Sequence, residues 1–168
     1  YVYDLMENRY ALLDTIAPEL YLSVDGNYAL SPGSSGWYLY HIPSRSKKLI
    51  NRKGLGTPWF TEDGTTVLFE GEGAVWQYEI NTEALTRATT FEGYQTRILN
   101  GEWNDISANK SSITKHQVHL SQPLVIELYD PKENRTGYAL WYKGKTEVIV
   151  PPTSKHIQSL THDDRYQH

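Results

Sequence analysis

Ser23-Val24-Asp25-Gly26-Asn27-Tyr28-Ala29-Leu30, followed by Gly36-Trp37-Tyr38-Leu39-Tyr40-His41-Ile42, returns as Thr61-Glu62-Asp63-Gly64-Thr65-Thr66-Val67-Leu68 and then Ala74-Val75-Trp76-Gln77-Tyr78-Glu79-Ile80. The two Asp-Gly pairs lie 38 residues apart, and Tyr40 and Tyr78, like Ile42 and Ile80, share that offset. Asp-Gly between two alternating runs is a strong hairpin signal. A repeat of about 40 residues with strand chemistry and no helical pattern is the signature of β-propeller blades. The expected fold is therefore all-β, a partial β-propeller of about three full four-stranded antiparallel blades with incomplete units at either end.

Working outward, one unit spans 19–50. Its strands fall near Leu20-Tyr21-Leu22, Tyr28-Ala29-Leu30, Trp37 to Ile42 and Lys48-Leu49-Ile50. A second spans 57–90, with strands at Thr57 to Phe60, Val67-Leu68-Phe69, Val75 to Ile80 and Thr86 to Thr89. A third, less regular, spans 96–150. It opens on Thr96-Arg97-Ile98-Leu99 and continues through Leu124 to Tyr129, Tyr138 to Tyr142 and Thr146 to Val150. Asn100 to Ser112, rich in Asn, Ser, Gly and Asp, reads as an exposed loop. Pro151-Pro152 is expected to end the third unit, because proline cannot donate to a strand ladder. Residues 1–14 and 157–168 read as partial units, the latter with His162-Asp163-Asp164-Arg165-Tyr166 at the turn position. The best helical candidate, Ala11 to Glu19, is broken by Pro18.

Composition fits one domain of 168 residues with 39% apolar side chains. Thirteen Tyr and five Trp against three Phe suit half-buried strands whose polar tips reach water. The net charge of −4 gives no general basis for binding nucleic acid. No apolar run approaches the 18 or so residues of a membrane-spanning helix. The absence of cysteine excludes disulfides and thiolate metal sites. The chain opens Tyr1-Val2-Tyr3-Asp4 with no Met and no signal peptide, which reads as a processed form or an excised segment.

The order Trp59-Phe60-Thr61-Glu62-Asp63-Gly64, Val75-Trp76-Gln77, Leu85-Thr86 and Gly93-Tyr94, then Pro123 to Asp130, Lys132-Glu133-Asn134 and Gly137-Tyr138, resembles the propeller domain of prolyl-oligopeptidase-type serine peptidases. Within that family it is similar to the dipeptidyl-peptidase-IV-like enzymes of Bacteroidetes. The resemblance covers roughly residues 20–166 and departs from the family at Asn100-Gly101-Glu102-Trp103. TolB-like propellers share the Asp-Gly phrase. The resemblance implies a periplasmic or secreted location, a peptide substrate and an α/β-hydrolase domain in the parent chain. That domain would carry a G-x-S-x-G elbow with its Asp and His partners.

No such elbow occurs in this chain, so the expectation is no catalytic residue, no cofactor and no metal here. Gly33-Ser34-Ser35-Gly36 has the wrong spacing for a nucleophile and reads as a hairpin turn. His116 and His119 would point to opposite faces of one strand and so would not share a metal. His156, His162 and His168 stand apart from them, and no His-Glu-x-x-His pattern exists. Glu62-Asp63 and His162-Asp163-Asp164 lack the alternating oxygen ligands of a calcium loop and read as turns. Asn109-Lys110-Ser111 and Asn134-Arg135-Thr136 match the glycosylation sequon. The aromatic set Trp37, Trp76 and Trp141, with Tyr40, Tyr78 and Tyr142, reads as packing between units. Its functional alternative is a stacking surface for sugars or peptide rings, with Gly71-Glu72-Gly73 at the rim.

Two functions follow. One is a non-catalytic propeller segment that shields a hydrolase active site and filters its substrates. The other is a TolB-like or lectin-like binding propeller with no enzymatic partner domain. In either case an array of units with open ends exposes apolar surface, so self-association through the terminal units is expected.

Overall fold

The computed structural model describes residues 2–4, 9–11, 19–105 and 112–153. The partial unit expected at 157–168 lies outside the described residues. Of the one expected at 1–14, a short antiparallel pair is described, β1 (Val2–Asp4) with β2 (Arg9–Ala11). The described residues are all-β, with no helix.

Three four-stranded antiparallel runs dominate. The first is β3 (Glu19–Leu22), β4 (Tyr28–Gly33), β5 (Gly36–His41) and β6 (Ser46–Ile50). The second is β7 (Leu55–Thr61), β8 (Thr66–Gly71), β9 (Trp76–Glu79) and β10 (Ala84–Arg87). The third is β11 (Gln95–Ile98), β14 (Leu124–Asp130), β15 (Arg135–Tyr142) and β16 (Lys145–Thr153). Between β11 and β14 the chain makes an antiparallel excursion, β12 (Glu102–Asp105) with β13 (Ser112–Val118).

The repeated phrase folds the same way twice. Ser23 Oγ donates to Asp25 Oδ1 (2.6 Å) and accepts from the Tyr28 N–H (2.9 Å). Thr61 Oγ1 donates to Asp63 Oδ1 (2.6 Å) and accepts from the Thr66 N–H (3.1 Å). In each turn the aspartate also accepts the N–H two residues on, from Asn27 and Thr65, at 3.0 Å. Gly26 and Gly64 sit at φ +74° and +68°, a region in which a Cβ is strained. Asp-Gly at these positions is therefore dictated by the backbone, and the hydroxyl two residues earlier completes the turn.

β13 is the main departure from the sequence reading. Asn100 to Ser112 is not one exposed loop, because Glu102–Asp105 pairs with β13. β13 in turn lies parallel to both β3 and β7, with Thr114 opposite Tyr21 and Gln117 opposite Phe60. It joins the first two runs into one sheet, in the order β10-β9-β8-β7-β13-β3-β4-β5-β6. Because Leu30, Trp37, Leu39 and Ile50 of the first run pack against Phe60, Val67, Phe69, Trp76 and Tyr78 of the second, that sheet curls until its halves face each other. The second run turns its other face, Trp59, Leu68 and Val75, onto Ile98, Leu124, Ile126, Leu128 and Trp141 of the third. The strands β7 and β8 are thus buried on both sides, while β10 is largely exposed.

The third run shows a second departure. β16 does not stop at Val150 but passes through Pro151 and Pro152 to Thr153, which lies opposite Thr136. It is an edge strand, where a missing N–H costs no ladder bond. Gly137 makes the close approach possible, since a Cβ there would sit 2.6 Å from Pro152 N.

Candidate functional site

The central strands bring together residues that the sequence keeps far apart. The Trp59 ring of β7 stacks on the His116 ring of β13 at 4.5 Å and 22°. Tyr21 of β3 meets the same imidazole edge-on at 4.9 Å and the Trp37 indole at 5.5 Å. Gly101 lies against Trp59 so closely that a Cβ would overlap the indole. The Trp59 indole N–H donates to Glu70 Oε1 (3.1 Å), and the same oxygen accepts the Ile98 backbone N–H (2.8 Å). Glu70 therefore ties the second run to the third. Thr96 Oγ1 makes a parallel tie, donating toward Gly71 O and Ala74 O at 2.9 and 3.0 Å and accepting the Gly71 N–H at 3.1 Å.

Burial sets the protonation of this cluster. It pushes the Glu70 carboxyl above its ordinary range, against the lowering effect of its hydrogen bonds. Burial likewise holds His116 below the usual imidazole value, partly offset by the Pro58 carbonyl 3.3 Å from Nδ1. Their hydrogen bonds run to backbone groups, the Trp59 indole and the Thr57 side chain. This is the chemistry of a polar joint inside a packed scaffold.

His119, just past β13, is placed differently. Its Nδ1 pairs with Glu62 in the β7–β8 turn, and its Nε2 lies 3.4 Å from Glu102 of β12. Hydrogen bonding to Glu62 raises its pKa, with Glu102 adding to the effect. The two histidines thus have separate partners, and His119 lies beyond the end of β13, so the opposite-face argument for one strand does not apply to it. Below the unfolded imidazole range, near 6.5, His119 is charged in both states and its pairing contributes fully. That contribution is lost as pH rises through the elevated folded value. His119→Gln should therefore remove a component of the fall in melting temperature as pH rises from near 6.5 through the elevated folded value. Parallel profiles for the two proteins across that range would refute the pairing.

The other candidates that fall among the described residues lie on strands and in the turns between them. Trp37, Trp76 and Trp141 are 7%, 8% and 7% exposed, and Tyr40 and Tyr78 are buried, while Tyr142 is half-buried. The wide stacking surface of the alternative reading would need these rings open to solvent. Gly73 of the rim phrase bonds to the backbone of Tyr94 and Phe91. Ser34 and Ser35 form the tight β4–β5 turn. Asp63 is held below the usual carboxylate range by the Thr61 hydroxyl and the Thr65 N–H, the role of a turn residue. Asn134 sits in the exposed β14–β15 turn and accepts from the Tyr129 hydroxyl at 3.2 Å. His156, His162, His168, Asp163, Asp164 and the sequon at Asn109 lie outside the described residues. Among the described residues no group of three or more His, Asp or Glu is arranged to hold a metal ion. No helix long and apolar enough to cross a membrane occurs among the described residues.

The sequence reading missed Glu70 and Gly101. A lone Glu closing the apolar run Val67-Leu68-Phe69 was the available signal for the first. Gly101 gave none, since its role depends on an indole 42 residues earlier. No family model matches the chain, and comparison with curated proteins finds no match.

Proposed function

We propose that this chain is a non-catalytic segment of a β-propeller belonging to a prolyl-oligopeptidase-type serine peptidase, where it shields a hydrolase active site and filters peptide substrates. The observation that carries the reading is the twice-repeated turn, Ser23 to Tyr28 and Thr61 to Thr66. Its two copies share one hydrogen-bond pattern and enter equivalent four-stranded runs. Face-to-face stacking of three such runs supports it, as does the order of the motifs from Trp59 to Tyr138. The polar joint at Glu70 and His116 adds rigidity, which suits a shield. The parent reading frame beyond His168 tests it. A G-x-S-x-G elbow with downstream Asp and His some hundreds of residues on is expected. A stop soon after one more unit would favour the TolB-like binding propeller instead.

Self-association belongs to the same proposal. Among the described residues, three of the five exposed large apolar side chains, Leu99, Val148 and Ile149, fall on the third run and its flank. The 168-residue chain is expected to scatter light as a dimer at micromolar concentration. A monomer of 19.3 kDa, unchanged by concentration, would reject the association.

A further inference from the structure

A cleft of about 330 Å³ opens between the β4–β5 turn and the segment joining β6 to β7, lined by Pro32, Ser34, Trp37, Arg52, Lys53 and Leu55 together with backbone of three glycines. No acidic residue lines it. Neither Arg52 nor Lys53 is paired with a carboxylate among the described residues, although the whole chain carries a net charge of −4. The two cations are therefore a local feature and not the edge of a basic surface.

Arg52 is held in a defined pose. Its guanidinium carbon lies 3.6 Å from the centre of the Trp76 ring, and that of Arg87 lies 5.0 Å from the same ring. A guanidinium resting on an indole keeps its N–H edges free for an acceptor in its own plane. Two guanidinium groups on one indole also repel each other, and an anion beside them relieves that repulsion. The wall opposite is rigid. A Cβ on Gly36 would overlap Ile50 O and lie 2.9 Å from Arg52 N, so the turn packs backbone against backbone. Trp37 donates its indole N–H to Leu55 O at 3.0 Å, which satisfies its polar atom and leaves its ring, with Pro32 and Leu55, as an apolar flank.

We propose that this cleft binds an organic carboxylate that carries an apolar substituent. Arg52 would take the carboxylate as a two-pronged partner, Lys53 would act as a point charge, and the substituent would rest on Pro32 and Leu55 beside the buried Trp37. The site does not depend on the peptidase reading, because its argument uses only local geometry.

The test is an NMR titration of the whole chain that follows the indole N–H resonances of Trp37 and Trp76. N-acetyl-leucine, up to about 20 mM, is expected to shift Trp37 saturably, and N-acetyl-leucinamide, which lacks the charge, is not. Lys53→Gln, which leaves Arg52 on its indole, should weaken binding about tenfold, and Arg52→Gln should abolish it. Acid and amide acting alike, or no saturable shift, would overturn the proposal. So would inorganic phosphate displacing the ligand at equal concentration, since charge alone would then explain the binding. If Arg52→Gln loses its native indole resonances, Lys53→Gln and the salt dependence of the wild-type affinity decide. Affinity unchanged in both would overturn the site.

Discussion

Trp76→Ala is expected to lower the unfolding free energy by roughly 3–5 kcal/mol, the range for emptying a large aromatic site. Trp76 is 8% exposed and packs in the cluster shared by the first two runs. Across that cluster, Trp37 and Phe69 lie with ring centres 5.8 Å apart. Loss of the indole also strands the guanidinium groups of Arg52 and Arg87, which now rest on it. Chemical denaturation should show the change as a lower midpoint at unchanged slope. An unchanged midpoint would mean that the ring is not part of the core and would reopen the stacking-surface reading.

Glu70→Ala carries the second-largest expected effect. It leaves the Trp59 indole N–H, the Ile98 backbone N–H and the Thr57 side chain without their acceptor, at a cost of roughly 2–4 kcal/mol in a mostly buried setting. Glu70→Gln keeps an acceptor oxygen and should cost much less. The two variants also separate the hydrogen bonds from the charge. Because burial raises the Glu70 pKa in the folded chain, the unfolded carboxyl loses its proton first as pH rises. Stability therefore falls between the ordinary glutamate value of 4.5 and the elevated folded one, and remains lower above it. Glu70→Gln should flatten that segment of the stability profile. Equal destabilisation by Ala and Gln, with the profile unaltered, would show that Glu70 is not the joint between the second and third runs.

The local part of the fold was legible because it is encoded locally. The Asp25-Gly26 and Asp63-Gly64 turns need a positive φ and a short acceptor side chain, and the runs beside them alternate with the pleat. Those two signals placed β5 and β9 within a residue at each end, and β4 and β8 at their starts, while the far ends of β4 and β8 run three and two residues beyond the expected strands. What was not legible is non-local. β13 reads Ser-Ile-Thr-Lys-His-Gln-Val, a polar stretch whose alternation is weak. It becomes a strand because β3 and β7 offer it parallel partners in succession and β12 an antiparallel one. β12 is a strand only because β13 is one. The prolines of β16 were a true local signal that lost to context, since an edge position does not require their N–H.

The candidate site divides in the same way. The buried state of Trp59, Trp76 and Tyr78 followed from their places in apolar strands. The stacking of His116 on Trp59 could not be read, because the two lie 57 residues apart and meet only through the inserted strand. The cleft at Arg52 was invisible for a related reason. It depends on a two-residue turn, an interstrand segment and an indole from the following run meeting in one place.

We propose that this chain is scaffold for chemistry carried elsewhere in its parent protein. The most direct measurement is labelling by a fluorophosphonate, which reacts covalently with an activated serine, applied to the 168-residue chain and to the product of the full reading frame side by side. The account predicts that the full-length protein is labelled and turns over peptide-nitroanilide substrates, while the 168-residue chain does neither. Labelling of the short chain, or a full-length protein inert to the probe, would contradict it.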